Sequence, residues 1–222
     1  MKLLVSDFDG TLFRNWKITP EEIDAIKEWR NRGNLFAIAT GRQWYDLMDR
    51  EIGDNVDYII FANGAKIVDE NRKLIYKNGF DISLFDKILR IADNYEPNGC
   101  EYTDDDRELH QMTVWFRNLD EARVFKKGLE KEYGDILNIY ENRAGIGMDI
   151  VSAKATKAVG IYELAKMHNI KKEDIYTVGD SPNDLVMLRE FNGYCIASAD
   201  DDIKSEVNNI CPDLAQLINE II

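Results

Sequence analysis

Short apolar runs alternate with amphipathic segments along the first part of the chain. The unbroken apolar runs are typical of short strands buried on both faces of a parallel sheet. Thr19, Pro20 and Glu22 predict a helix that begins with a capping box, and Gly33 predicts its end. A second helix is predicted at about 43–52. The predicted strands of this part lie at 2–6, 35–39 and 58–61, followed by a hairpin at 65–68 and 74–76.

The same alternation returns at Lys157 and continues to the end of the chain. The predicted helices run from Lys157 to about His168, from near Asn183, after the acidic residues 200–202, and at the terminus. The predicted strands lie at 175–179, 194–197 and 209–211. Alternating strands and helices form parallel sheets through right-handed crossovers, so both ends of the chain are expected to share one sheet.

The pattern between these two parts is different. It predicts a helix, two strands, a second helix and two more strands, at about 83–94, 99–103, 109–117, 120–133, 136–140 and 145–151. Such an order suits an antiparallel sheet with helices on one face. The predicted fold class is therefore α/β. A doubly wound, Rossmann-like parallel core (1–80 and 153–222) carries an inserted α+β cap domain (81–152) of order αββαββ.

Polar residues stand where three of the predicted core strands end. Asp7 follows the first strand, Thr40 follows the second, and Asp180 follows the strand at 175–179. Because ligands bind at the carboxyl ends of strands in open α/β sheets, these residues are expected to lie together. Asp9 and Asp184 add two more carboxylates, and such oxygen ligands suit Mg²⁺ better than Zn²⁺.

Composition narrows the classes of function. A net charge of −13 disfavours nucleic acid and anionic membranes as partners. The three cysteines have no metal-binding spacing and are expected to be free thiols, which favours a cytoplasmic location. No apolar run is long enough to span a bilayer. The expected partner is a small molecule, and the chain is expected to be a monomer or weak homodimer.

Four motifs resemble those of the haloacid dehalogenase-like superfamily. They are D-F-D-G-T at 7–11, T-G-R at 40–42, Lys157 at a helix start, and G-D-S-P-N-D at 179–184. The insertion resembles the type IIB cap of the Cof-like branch, and the resemblance covers essentially the whole chain. Lys154 competes with Lys157 for the lysine motif. Lys157 is favoured because it follows Thr156 at the helix start and precedes the small residue Ala158.

The resemblance implies a phosphatase that acts on small phosphorylated metabolites such as sugar phosphates, nucleotides or cofactor phosphates. Asp7 would be the nucleophile that forms an aspartyl phosphate, and Asp9 the general acid and base. Lys157, Thr40 and Asn183 would contact the phosphoryl group. The implied substrate-binding residues are Thr40, Gly41, Arg42 and Asn183. The implied Mg²⁺ ligands are Asp7, the backbone carbonyl of Asp9, Asp180 and Asp184, with Asp184 alternatively orienting Lys157 or a metal-bound water.

Several alternatives stay open at this point. Arg42 either contacts substrate or pairs with Asp46, and Asn63-Gly64 either lines the pocket or makes a turn. Candidate substrate contacts in the insertion are Glu101, His110 and Met148, and the expected hinges are 78–79 and 152–153. Two other functions are a phosphomutase of hexose phosphates, with the same nucleophile, and a phospho-accepting regulatory module. The length and the D-x-D spacing argue against the module.

Overall fold

The computed structural model describes residues 1–43, 47, 55–105, 107–142 and 146–222. The strands are β1 (Leu3–Ser6), β2 (Leu35–Ala39), β3 (Tyr58–Phe61), β4 (Lys66–Val68), β5 (Leu74–Lys77), β6 (Phe80–Asp81), β7 (Gly99–Asp104), β8 (Glu108–Trp115), β9 (Leu137–Glu141), β10 (Gly147–Ser152), β11 (Ile175–Gly179), β12 (Asn192–Ile196) and β13 (Asn209–Cys211). The helices are α1 (Pro20–Asn31), α2 (Phe85–Ala92), α3 (Leu119–Tyr133), α4 (Lys157–Met167), α5 (Leu185–Glu190), α6 (Asp201–Lys204) and α7 (Leu214–Ile221).

The chain divides into two compact units. One consists of Met1–Tyr76 and Lys157–Ile222, and the other of Lys77–Thr156. Among the described residues, no helix combines the length and the apolar composition that crossing a membrane requires. The predicted helix at 43–52 lies outside the described residues, apart from positions 43 and 47.

The discontinuous unit is built on one sheet of eight strands in the order β13-β12-β11-β1-β2-β3-β4-β5. The first six strands in this order run parallel, and β4 runs antiparallel to β3. All four residues of β1 are buried, as expected for a strand covered on both faces. Since β1 lies at the middle of the sheet with β11 and β2 beside it, the carboxyl ends of these strands meet at one edge.

Helix α1 shows how the local sequence sets an element of this unit. Thr19 caps its N-terminus by accepting a hydrogen bond from the Glu22 amide, and the Glu22 side chain returns to the Thr19 amide. Pro20 occupies the first turn, where its missing N–H has no partner to lose. Gly33 follows the helix with φ +80, a conformation that favours glycine.

The inserted unit has a five-stranded antiparallel sheet in the order β6-β8-β10-β9, with β7 also paired to β8. Its core joins one face of this sheet to α2 and α3, through buried side chains such as Ile88, Met112 and Phe125. The two-residue strand β6 was not predicted, because two residues carry no readable periodicity. The predicted fold class, a parallel α/β core with an inserted α+β domain, is confirmed.

Candidate active site

Side chains from separate stretches of the chain lie at the carboxyl edge of the parallel sheet. Asp7 directly follows β1, Thr40 follows β2 and Asp180 follows β11. Hydrogen bonds continue past the strand ends: the Asp7 amide donates to Val178 (2.8 Å), and the Thr40 amide donates to Ile60 (2.8 Å). The rigid sheet therefore fixes the backbone from which these side chains project.

Lys157 connects two buried carboxylates. Its Nζ lies 2.6 Å from Oδ1 of Asp7 and 2.6 Å from Oδ1 of Asp184. The Lys157 side chain is 1% exposed, and those of Asp7 and Asp184 are 7% and 0% exposed. Of the two candidate lysines, Lys157, which the sequence favours, thus contacts the predicted nucleophile, whereas Lys154 has an exposed side chain.

Asp184 holds the loop that follows β11 as well as Lys157. Its Oδ2 accepts hydrogen bonds from the amides of Asp180 (3.1 Å) and Ser181 (3.0 Å), and lies 2.7 Å from the Ser181 hydroxyl. Gly179 makes this approach possible, since a Cβ at position 179 would lie 2.6 Å from the Asp184 side chain. Both oxygens of Asp184 therefore have structural partners.

The carboxylates fit a divalent cation. Asp7, Asp180 and Asp184 offer ligand atoms that all lie within 4.8 Å of one another. Oδ2 of Asp7 is buried and has no hydrogen-bond partner among the described residues, an arrangement that a cation would satisfy. The set consists of hard oxygen donors, which suit Mg²⁺. Asp9 is not in this group, and its predicted contribution is its backbone carbonyl oxygen.

The electrostatics of the cluster also favour an added cation. Burial and the nearby charge of Asp184 raise the pKa of Asp7 well above its ordinary value, and Lys157 only partly opposes this. Burial alone would lower the pKa of Lys157, but Asp184 and Asp7 together raise it above its ordinary value. A single ammonium therefore faces an excess of carboxylate charge, and a divalent cation would offset that excess.

Each residue of the T-G-R segment at 40–42 has a different neighbour. The Thr40 hydroxyl oxygen accepts a hydrogen bond from the Arg42 amide (3.1 Å), which leaves its proton available for a ligand. A Cβ at Gly41 would lie 3.2 Å from the side-chain amide of Asn63, so a small residue fits best there. The Arg42 side chain pairs with Asp9.

The Arg42–Asp9 pair was not predicted. Nε of Arg42 lies 2.6 Å from Oδ2 of Asp9, and its second terminal nitrogen lies 2.8 Å from Oδ1. The two residues are 33 positions apart, so no local sequence pattern predicts the contact. The alternative partner Asp46 lies outside the described residues.

Asn63 lies in the segment that the sequence predicts either to line the pocket or to make a turn. It is buried, has φ 52 and ψ 33, and its amide donates to the Thr40 carbonyl (3.0 Å). Its side-chain amide is hydrogen bonded to that of Asn183 (3.0 Å), a residue predicted to reach phosphate. Asn63 therefore connects the loop after β2 with the loop after β11. The Asn-Gly pair after a buried strand was the available signal.

Asn63→Ala is expected to destabilise the protein more than Asn63→Gly, by about 1 kcal/mol, because alanine is strained at positive φ. Both variants lose the amide contact with Asn183 and are expected to lose activity. Urea unfolding and phosphate release are the measurements. Equal free energies of unfolding for the two variants would contradict the backbone explanation.

The candidate contacts in the inserted unit lie in different environments within that unit. Met148 is buried in its hydrophobic core, and Glu101 is exposed on β7. His110 is buried, with Nε2 3.3 Å from Asp105, and these two and Glu108 bring ligand atoms within 4.8 Å. Because Lys77 already supplies a positive charge to Asp105, we assign no metal to this group.

Comparison with known proteins identifies the family. A model of the haloacid dehalogenase-like hydrolases matches residues 4–107 and 99–216. The chain belongs to this family. The resemblance that the sequence indicated is therefore confirmed. The residues matched by the family model of this haloacid dehalogenase-like hydrolase include Asp7, Lys157, Asp180 and Asp184.

Two curated relatives of this haloacid dehalogenase-like hydrolase bear the same phosphatase name. The 5-amino-6-(5-phospho-D-ribitylamino)uracil phosphatase YcsE of Bacillus subtilis is 26% identical over 231 residues, covering 95% of this chain and 89% of the relative. YbjI of Escherichia coli strain K12 is 22% identical over 225 residues, covering 86% and 82%. The protein is a phosphatase of this family, that is, a phosphoric monoester hydrolase.

Solved structures have the same fold. A haloacid dehalogenase-like hydrolase from B. subtilis superposes with a TM-score of 0.87 at 20% identity, covering 100% of both chains. The subclass IIB sugar phosphatase BT4131 gives a TM-score of 0.85 at 20% identity, covering 100% of this chain and 99% of that one. Since both superpositions cover the whole of this chain, they include the inserted unit as well as the parallel core.

Proposed function

We propose that this phosphatase is a Mg²⁺-dependent enzyme that hydrolyses small phosphorylated metabolites through an aspartyl phosphate at Asp7. One observation carries the proposal. Asp7 has one oxygen on Lys157, while its other oxygen is buried without a partner among the described residues, and Asp180 and Asp184 lie beside it. That arrangement suits a carboxylate whose second oxygen serves a cation and a substrate.

The first half of the reaction forms a covalent intermediate. An oxygen of Asp7 attacks phosphorus, the bond from phosphorus to the leaving oxygen breaks, and Asp9 donates a proton to that oxygen. Lys157 and the Thr40 hydroxyl donate hydrogen bonds to the phosphoryl oxygens as charge develops there. Lys157 is held for this task by Asp184.

The second half releases phosphate and restores Asp7. Asp9, now a carboxylate, accepts a proton from water as the water oxygen bonds to phosphorus and the bond to Asp7 breaks. Asp7, Asp180 and the Asp9 carbonyl would hold Mg²⁺, and Asp184, whose oxygens already have partners, would lie beside the ion and orient Lys157. When bound, the ion supplies positive charge that offsets the repulsion between the carboxylates and the phosphate.

The proposed substrates are sugar phosphates, nucleotides and cofactor phosphates. The two relatives described above are named for 5-amino-6-(5-phospho-D-ribitylamino)uracil, which combines a phosphorylated sugar-like chain with a pyrimidine ring. That compound therefore belongs in a substrate panel together with hexose phosphates, nucleotides and pyridoxal phosphate.

Removing Mg²⁺ with a chelator is expected to lower hydrolysis of p-nitrophenyl phosphate at least about 100-fold, and added Mg²⁺ is expected to restore it. Asp180→Asn should require more Mg²⁺ for half-maximal activity and should reduce the rise in melting temperature that Mg²⁺ produces in the native protein.

Full activity in chelator would contradict the metal dependence. Absence of phosphate release from the whole panel with Mg²⁺ present would overturn the proposed substrate class. Isomerised hexose phosphate without free phosphate would identify a phosphomutase instead.

A further inference from the structure

We propose that Arg42 is a positioning residue that acts through Asp9 and holds its carboxylate in the orientation that proton transfer requires. The inference rests on the proposed function, in which Asp9 exchanges the proton. It gives Arg42 a different role from either of the two that the sequence suggested, substrate contact or pairing with Asp46.

The pair has the geometry of a fixed support. Two nitrogens of one guanidinium each face a different oxygen of Asp9, at 2.6 and 2.8 Å. This two-point contact defines the plane of the carboxylate as well as its distance, which a single ammonium cannot do. The two side chains are only 29% and 24% exposed, so the contact is partly shielded from solvent.

Arg42 is itself anchored to the site. Its amide donates to the Thr40 hydroxyl (3.1 Å), and its carbonyl accepts from the Ala62 amide (3.0 Å). Its guanidinium carbon lies 6.0 Å from the centre of the Phe8 ring. The segment that presents Thr40 to the phosphoryl group therefore also fixes the residue that holds Asp9.

The contact leaves Asp9 able to react. A carboxylate has about four acceptor sites, and the guanidinium fork uses one on each oxygen. In the carboxylic acid, one of the remaining sites carries the proton that passes to the leaving oxygen. In the carboxylate that results, a remaining site accepts a proton from water. Proton transfer requires a donor and an acceptor at hydrogen-bond distance in the correct orientation, so loss of the fork would slow both halves of the reaction.

Two substrates distinguish a role of Arg42 through Asp9 from direct binding of the phosphoryl group. They are phenyl phosphate and p-nitrophenyl phosphate, which have similar shapes. The phenolate leaving group needs a proton from Asp9 more than the p-nitrophenolate leaving group does. If Arg42 positions Asp9, Arg42→Ala should lower kcat/KM for phenyl phosphate by about 10- to 100-fold and by less for p-nitrophenyl phosphate. If Arg42 binds the phosphoryl group, both substrates should lose equally and KM should rise.

The decisive experiment is a double-mutant cycle with Arg42→Ala, Asp9→Asn and the double variant, measured on both substrates with Mg²⁺. We expect Arg42→Ala to change kcat/KM by less than about two-fold once Asp9 has been replaced, since coupled residues are not additive. Arg42→Lys, which can hold one oxygen, should lie between the native enzyme and Arg42→Ala.

The inference would be overturned if Arg42→Ala lowered kcat/KM by the same factor in the Asp9→Asn variant as in the native enzyme. Melting temperatures identify any variant that folds poorly, and Arg42→Gln then replaces Arg42→Ala with the same expected outcomes. Failure of the proposed function has a different signature, because in that case Asp7→Asn would keep its activity or Asp9→Asn would have no effect.

Discussion

Asp7→Asn is expected to lower phosphate release at least about 1,000-fold while leaving the protein folded, because removal of a catalytic nucleophile costs that much or more. The amide keeps the shape of the carboxylate and an oxygen that can accept from Lys157, but it is a very poor nucleophile. Steady-state hydrolysis of p-nitrophenyl phosphate with Mg²⁺ is the measurement.

The stability of Asp7→Asn provides the control. The native carboxylate is buried beside Asp184, which with burial raises its pKa, so a neutral amide removes an unfavourable charge. In chelator, the melting temperature of the variant is therefore expected to match or exceed that of the native protein. The rise that Mg²⁺ produces should shrink, because one ligand is lost. Retention of a tenth of the native activity would mean that the nucleophile lies elsewhere.

Lys157→Met should be both inactive and strongly destabilised. Lys157 is the buried cation that contacts Asp7 and Asp184, and methionine would leave two buried carboxylates without it. Breaking a buried ion pair in this way costs about 3–5 kcal/mol of unfolding free energy. Urea unfolding in chelator, followed by circular dichroism, measures this loss directly.

Lys154→Met is the matched control, because the same substitution falls three residues earlier on an exposed side chain. Its free energy of unfolding is expected to stay within about 0.5 kcal/mol of the native value, with activity largely retained. The opposite result, in which Lys154→Met is inactive and Lys157→Met is stable and active, would show that Lys154 is the lysine of the active site.

The main features of the fold and several site residues follow from local patterns. Buried strands are short apolar runs, and Asp7, Thr40 and Asp180 occur where such runs end. Helix α1 follows from its capping box and its proline. Since parallel strands bring their carboxyl ends to one edge, the meeting of these residues required only the strand assignment and the order of the chain.

Other features depend on contacts that no local pattern encodes. Arg42 follows β2 and Asp9 follows the adjacent strand β1, and their side chains pair across 33 positions of sequence, whereas the sequence offered Asp46 as a local partner for Arg42. The sequence favoured Lys157 over Lys154 from the predicted helix start, and α4 does begin at Lys157. The contacts of Lys157 with Asp7 and Asp184 join residues 150 and 27 positions apart, so no local pattern encodes them. The pairing of Asn63 with Asn183 joins residues 120 positions apart, so the sequence could only mark the Asn-Gly turn.

The most direct test of the account is to locate the phosphoryl group on the enzyme. The enzyme is mixed with p-nitrophenyl phosphate and Mg²⁺, quenched in acid within one turnover, and its peptides are analysed by mass spectrometry. The account predicts one phosphoryl group on Asp7, more of it in Asp9→Asn, where water activation is slowed, and none in Asp7→Asn. An enzyme that releases phosphate while Asp7 stays unmodified at every time point would contradict it.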